Sequence, residues 1–157
     1  MTAEQFEQAA GSFPVIDVGG LAGIERPLLV ELGDLSSHID WHLVRRICYH
    51  LLAGSVVFVG YRTDTGFSLP DEPPFVWINH DPALDMPYFL ANARVIIAPY
   101  LDAAAIDPRI HWSQIGRCVP VIATSCLRGP RIRTTKTDDE FIGELDSILT
   151  GQHSSGS

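Results

Sequence analysis

Positive charge is scarce in this chain of 157 residues, where 11 lysines and arginines face 19 aspartates and glutamates and leave a formal charge of −8. Binding to nucleic acid without regard to sequence rests on cations that neutralise phosphates, so the balance argues against a nucleic-acid partner. Long apolar runs are also missing, and none approaches the roughly 20 residues a membrane-spanning helix requires. The polar start MTAEQFEQAAGS does not read as a signal peptide. A cytoplasmic protein is expected, with membrane contact only peripheral or through a partner. Cysteines are few. Cys48, Cys118 and Cys126 are odd in number and lack C-x-x-C spacing, which predicts reduced thiols rather than a disulfide framework or a zinc site.

Several motifs are absent as well. No G-x-G-x-x-G follows the first apolar run and no G-x-x-x-x-G-K-S/T occurs, which weighs against dinucleotide-fingerprint and P-loop readings. Ser113, Ser125 and Cys126 have no G-x-S-x-G or papain-like surroundings, so nucleophilic catalysis has no support. The cations that are present cluster at Arg45-Arg46 and between Arg128 and Arg133. These clusters read as solvated faces, with contact to an anion or an acidic lipid surface as the alternative.

What remains is a globular composition. Apolar residues make up 46% of the chain and the mean hydropathy is +0.13, enough for one domain with a real core. The expected organisation is an extension over 1–12, a domain over 13–150 and a disordered tail over 151–157.

Within the domain, short apolar runs alternate with amphipathic segments. Strands are expected at Leu28–Leu32, Ser55–Val59, Phe75–Ile78, Arg94–Ala98 and Val119–Ser125, with a short edge strand at Ile132–Thr135. Helices are expected at Trp41–Leu52, Asp85–Ala93, Pro108 to about Arg117, and from the Thr137-x-x-Glu140 capping box through Leu149. Ser37 and Asp40 are both possible N-caps for the first of these. Such alternation, with connections too long for hairpins, predicts an α/β fold: an open parallel sheet of about 5–6 strands flanked by helices, Rossmann-like.

The stretch from Met86 to Thr124 carries the most information. Its Pro87, Leu90, Ala91, Ala93, Val95, Ile97, Pro99-Tyr100, Arg109 and Pro120-Val121-Ile122-Ala123-Thr124 resemble the donor-binding C-terminal domain of GT-B glycosyltransferases of the family 4/1 type. LLVELGDLSSHIDWHLVRRI is similar to that domain's first strand, glycine turn and first helix, and SVVFVG to its second strand. The similarity covers roughly 14–150. The chain departs from the pattern at three places. Cys118 stands at the family's glycine, Ser113 at its hydroxyl-binding glutamate, and Arg109 falls one residue out of register.

The resemblance implies a nucleotide-sugar donor as substrate, no cofactor, and an acceptor-binding domain or partner chain that completes a hexosyltransferase of polysaccharide biosynthesis. The alternative is a non-catalytic interaction or regulatory module that keeps the fold without a working donor site. Under the first reading, backbone N–H groups at the helix start near Asp107-Pro108-Arg109 face the diphosphate, and Arg109 adds a bidentate contact. Gly33-Asp34 lets backbone approach a phosphate. The base is expected near Asn79-His80-Asp81, with Tyr61 or Tyr100 as neighbours, and Tyr100 either lines the pocket or closes the sheet. His111 and Ser113 are neutral hydrogen-bonding groups for a hydroxyl. Each also has a plain structural reading as a turn, a cap or a surface side chain. No catalytic residue is identifiable. His38-x-Asp40-x-His42 has ligand-type residues, but in a loop entering a helix the alternate spacing does not aim them at one metal, so no metal site is expected.

Overall fold

The computed structural model describes residues 20–151, and the expected extension over 1–12 and nearly all of the expected tail lie outside them. Among the described residues there are six strands: β1 (Leu28–Leu32), β2 (Ser55–Val59), β3 (Phe75–Ile78), β4 (Val95–Ala98), β5 (Val121–Ala123) and β6 (Ile132–Thr134). Four helices flank them: α1 (Trp41–His50), α2 (Met86–Asn92), α3 (Trp112–Ile115) and α4 (Asp138–Leu149). The strands form one wholly parallel sheet in the order β3-β2-β1-β4-β5-β6, an α/β arrangement of Rossmann type.

The burial of each strand follows its place in the sheet. Every residue of β1, β2, β4 and β5 is buried, whereas β3 and β6, at the two edges, are mostly half-buried. Uninterrupted apolar strands are what a parallel sheet covered on both faces requires. Two polar residues break the run: Ser55, which opens β2, and Glu31, within the central strand β1, which is fully buried.

Helix α1 opens at Asp40, whose carboxylate accepts from the Leu43 backbone N–H at 3.1 Å. It presents Trp41, Leu43, Val44 and Ile47 to the core. Trp41 stacks on Phe58 and on Phe67, ring centroids 5.3 and 4.7 Å apart, and meets Phe75 edge-on. Phe67 belongs to the helix-free connection between β2 and β3, so this connection contributes an aromatic ring to the core. Helix α4 lies beside α1 on the same face, joined by Arg46–Asp139 at 2.8 Å and His50–Asp146 at 2.7 Å. Thr137 caps α4 by accepting from Glu140 N–H at 3.1 Å, while Glu140 reaches back to Lys136 N–H at 3.0 Å, one residue before the usual capping-box partner. Thr137→Ala is expected to cost about 1 kcal/mol, read from the urea midpoint.

Two helix boundaries differ from expectation. Helix α1 ends at His50 because Leu51 turns extended, and Gly54, at φ +108°, belongs to the following turn. A Cβ on Gly54 would lie 2.6 Å from the Pro27 carbonyl oxygen, so close backbone approach explains that glycine. The helix expected from Pro108 is shorter still. Asp107 accepts from Arg109 N–H through its carboxylate at 2.9 Å and from Ile110 N–H through its carbonyl at 3.1 Å. That closed turn ends at His111, whose ψ of 83° is not helical, and α3 starts only at Trp112.

Candidate functional site

In open α/β sheets, ligands bind beyond the carboxyl ends of the strands where the strand order reverses. Here that point lies between β1 and β4. The chain leaving β1 continues alongside the chain leaving β2: Gly33 N–H donates to Val59 O, Leu35 N–H to Tyr61 O and Thr63 N–H to Leu35 O. On its other side it meets the chain leaving β4, through a bridge between Ile39 and Tyr100 and a hydrogen bond from Leu101 N–H to His38 O. These segments and the turn at 104–109 enclose a cleft of about 550 Å³. Asp34, Ser36 and His38 come from the β1 end, Thr63 and Asp64 from the β2 end, and Ala104 to Arg109 from the β4 end.

The charged lining is mostly acidic, with Asp34, Asp64 and Asp107 against Arg109. Asp34 accepts from Tyr61 N–H at 3.1 Å. Asp64 is held below the usual carboxylate range by N–H bonds from Ser37 and Gly66. His38 bonds Asp102 at 3.0 Å at the rim, and that contact holds the Asp102 carboxyl low. Arg109 is the arginine of the cleft, and carboxylates already occupy its fork. Its Nη2 and Nε meet Asp107 at 2.8 and 3.1 Å, and its Nη1 meets Asp81 at 3.0 Å. The guanidinium lowers the Asp107 carboxyl, while at Asp81 burial pushes the other way and is outweighed by the Ala83 N–H and Arg109. The surroundings suit hydroxyl groups or cations, since carboxylates accept hydrogen bonds and repel phosphate oxygens.

Beneath the cleft lies a second acidic group. The Tyr100 hydroxyl donates to Glu31 Oε1 at 2.9 Å, and Trp112 packs edge-on against the tyrosine ring. Glu31 Oε2 and Trp112 Nε1 are buried without hydrogen-bond partners. Burial raises the Glu31 carboxyl well above its ordinary range; the Tyr100 hydroxyl lowers it, and Asp34 and Asp107 add to the rise. A Cβ on Gly33 would come within 2.8 Å of Glu31 Oε1, so glycine there makes room for the carboxyl rather than for a ligand.

The expected site residues thus separate. Asp34 and Arg109 line the cleft, with Gly33 behind its wall. Tyr100 is buried and closes the sheet, and its hydroxyl is spent on Glu31. His80 is buried against α2, 3.4 Å from the Asp85 carboxylate and with its ring centroid 6.0 Å from that of Phe89, and desolvation lowers its basicity. Asn79, half-buried at the end of β3, is not among the cleft-lining residues. His111 and Ser113 are exposed, and Ser113 lies towards Gly129 instead of the cleft. The helix start expected to face a diphosphate is a turn, which leaves that role unfilled. The aspartates that do line the cleft had a weak sequence signal, since Asp64 and Asp107 sit in turn-rich segments. His38 and Asp40, considered for metal, are engaged by Asp102 and by the α1 cap respectively. Among the described residues no group of three or more His, Cys, Asp and Glu could hold a metal ion, and no helix is long and apolar enough to cross a membrane. The cysteines are free; Cys48 is buried, and burial pushes its thiol up to about 12.

Fold and cleft together define an open-sheet α/β domain with an acidic crevice at its topological switch point. No family model and no curated protein matches the chain.

Proposed function

We propose that the chain is the donor-side half of a GT-B-type glycosyltransferase, which takes a nucleotide sugar and is completed by an acceptor-binding domain or partner chain. The observation that carries this reading is the coincidence of the β3-β2-β1-β4-β5-β6 order with a cleft where that order reverses. The resemblance of 86–124 to a donor domain supports it. Asp34 and Asp107 are suited to the hydroxyls of ribose and sugar, the role an acidic residue near a strand end plays in nucleotide folds. Diphosphate then competes with Asp107 and Asp81 for Arg109, so affinity is modest and transfer requires the partner.

A specific observation favours a second reading. Arg109 is neutralised from both sides, as suits an interaction or regulatory module that has lost its donor site. Titration of the folded chain with UDP, GDP and ADP sugars, followed by backbone NMR, separates the two. A donor half gives saturable shifts at residues 34–38, 63–64 and 104–109, weakened about tenfold or more by Asp34→Ala or Arg109→Ala, equivalent to about 1.4 kcal/mol. Silence at those residues in a folded sample selects the module.

A further inference from the structure

The acidic cleft at the carboxyl ends of the strands has a counterpart at the amino ends of β5 and β6. Between Asp107 and Asp138 the sequence contains no acidic residue, yet it holds Arg109, Arg117, Arg128, Arg131, Arg133 and Lys136, six of the 11 cationic residues of the chain. Three of these line a pocket of about 390 Å³ at the amino ends of β5 and β6. Arg117 comes from the segment entering β5, and Arg131 and Arg133 from the segment entering and forming β6. Val119, Pro120 and Ile132 give it an apolar base.

The arginines differ in how they are held. Arg133 is tied to Glu144 at 3.0 Å. Arg117 and Arg131 are exposed, and among the described residues neither side chain makes an ion pair or a hydrogen bond. The backbone departs from its preferred geometry at the same spot. Arg131 adopts φ +65°, a left-handed conformation that a residue with a Cβ seldom takes. Gly116 is what allows it so close, since a Cβ there would lie 2.7 Å from the Arg131 carbonyl oxygen and 2.8 Å from its Cβ. An asparagine or a glycine fits a left-handed turn with less strain. An arginine kept there, with no ion pair or hydrogen bond to its side chain among the described residues and beside two others, is a local conflict of the kind that concentrates at binding sites.

We propose that this pocket binds the phosphate group of a phosphate ester. Guanidinium forks match phosphate oxygens bidentately, and the two unpaired forks of Arg117 and Arg131 supply the charge that a dianion needs, with Arg133 beside them held by Glu144. The low count of cations elsewhere makes the local potential distinct from the rest of an acidic surface. The ester is either a small molecule or the headgroup of an anionic lipid, and both present the same chemistry to the three arginines. The site lies across the sheet from the cleft and uses none of its residues, so it stands independently of the donor reading.

The test is an NMR titration of the full chain at constant ionic strength with inorganic phosphate and glycerol 3-phosphate. Co-sedimentation with phosphatidylcholine vesicles, with and without phosphatidylglycerol, runs in parallel. Saturable shifts confined to 116–120 and 131–133 are expected, and Arg117→Ala/Arg131→Gly should weaken binding at least tenfold. Because glycine suits the left-handed turn, that variant should melt no lower than the parent, which separates lost binding from lost folding. Binding to small esters assigns a small molecule; arginine-dependent binding to the anionic vesicles alone assigns a headgroup. Unchanged affinity in the double variant, or no saturable binding of esters or vesicles, overturns the proposal. Nucleotide-sugar shifts at 34–38 and 104–109 bear on the donor reading only, and Asp34→Ala should leave phosphate binding intact.

Discussion

Glutamine in place of Glu31 raises the stability of the fold at pH 8 and leaves it nearly unchanged at pH 4. The reason is a mismatch between the two states of the chain. Unfolded, Glu31 ionises in the ordinary range near its reference value of 4.5; folded, it is buried and its carboxyl resists ionisation until well above that. Between those limits the folded chain binds more protons than the unfolded one, so stability falls as pH rises. Glutamine carries no charge to lose, keeps the carbonyl oxygen that accepts from Tyr100, and fills the same space beside Gly33. The expected gain at pH 8 is about 1–3 kcal/mol, the range for a buried polar group left incompletely paired. Urea unfolding at several pH values measures it through the midpoint. An equal gain at pH 4 and pH 8 would mean that packing, not ionisation, is responsible, and no gain at either would mean that the carboxyl is already satisfied.

Alanine at Gly60 is expected to do the opposite and on a larger scale. Gly60 follows β2, and its Cα faces the backbone that follows β1. A Cβ there would stand 2.0 Å from the Gly33 carbonyl oxygen and 2.6 Å from its carbonyl carbon. No flexible side chain can yield, because the obstacle is main chain. Relief requires the ends of β1 and β2 to part, which breaks the bond from Gly33 N–H to Val59 O and shifts Asp34. Overpacking inside a well-packed fold typically costs about 1–3 kcal/mol, and against the main chain of Gly33-Asp34 a loss of about 3 kcal/mol or more is expected. Thermal unfolding reports the size of the loss. An Asp34-linked hydrogen bond to Tyr61 N–H that exchanges no faster in Gly60→Ala than in the parent would count against the strand ends having moved.

The fold was legible because parallel strands covered on both faces must be apolar throughout. Residues 56–59 and Val95–Ala98 announce themselves by that rule. The candidate site was less legible, since its walls come from three loops up to about seventy residues apart and only the sheet brings them together. Arg109 illustrates the difficulty. Its type suggested phosphate, but the carboxylates that occupy it include Asp81, which no local pattern connects to it. The same holds for Tyr100, whose hydroxyl turns inward because the one acidic residue of β1 lies there. Glu31 itself was visible as a carboxylate inside LLVEL, and its position in a central strand was the available signal that the run is not plain core. The helix expected from Pro108 failed for a local reason: Asp107 closes a turn on Arg109 and Ile110 that competes with helix propagation.

Carboxylates lining the cleft and unpaired arginines at the amino ends of β5 and β6 put patches of opposite sign on two separate parts of the surface. A charged body drifting near either patch feels its field before it feels a contact, so the two patches favour partners of opposite sign at distances of about a Debye length, roughly 8 Å in physiological salt. A partner that presents basic groups is favoured at the cleft over one that presents acidic groups. Raising the ionic strength shortens the range over which that preference is imposed, and encounter slows even where the final contacts are unaltered.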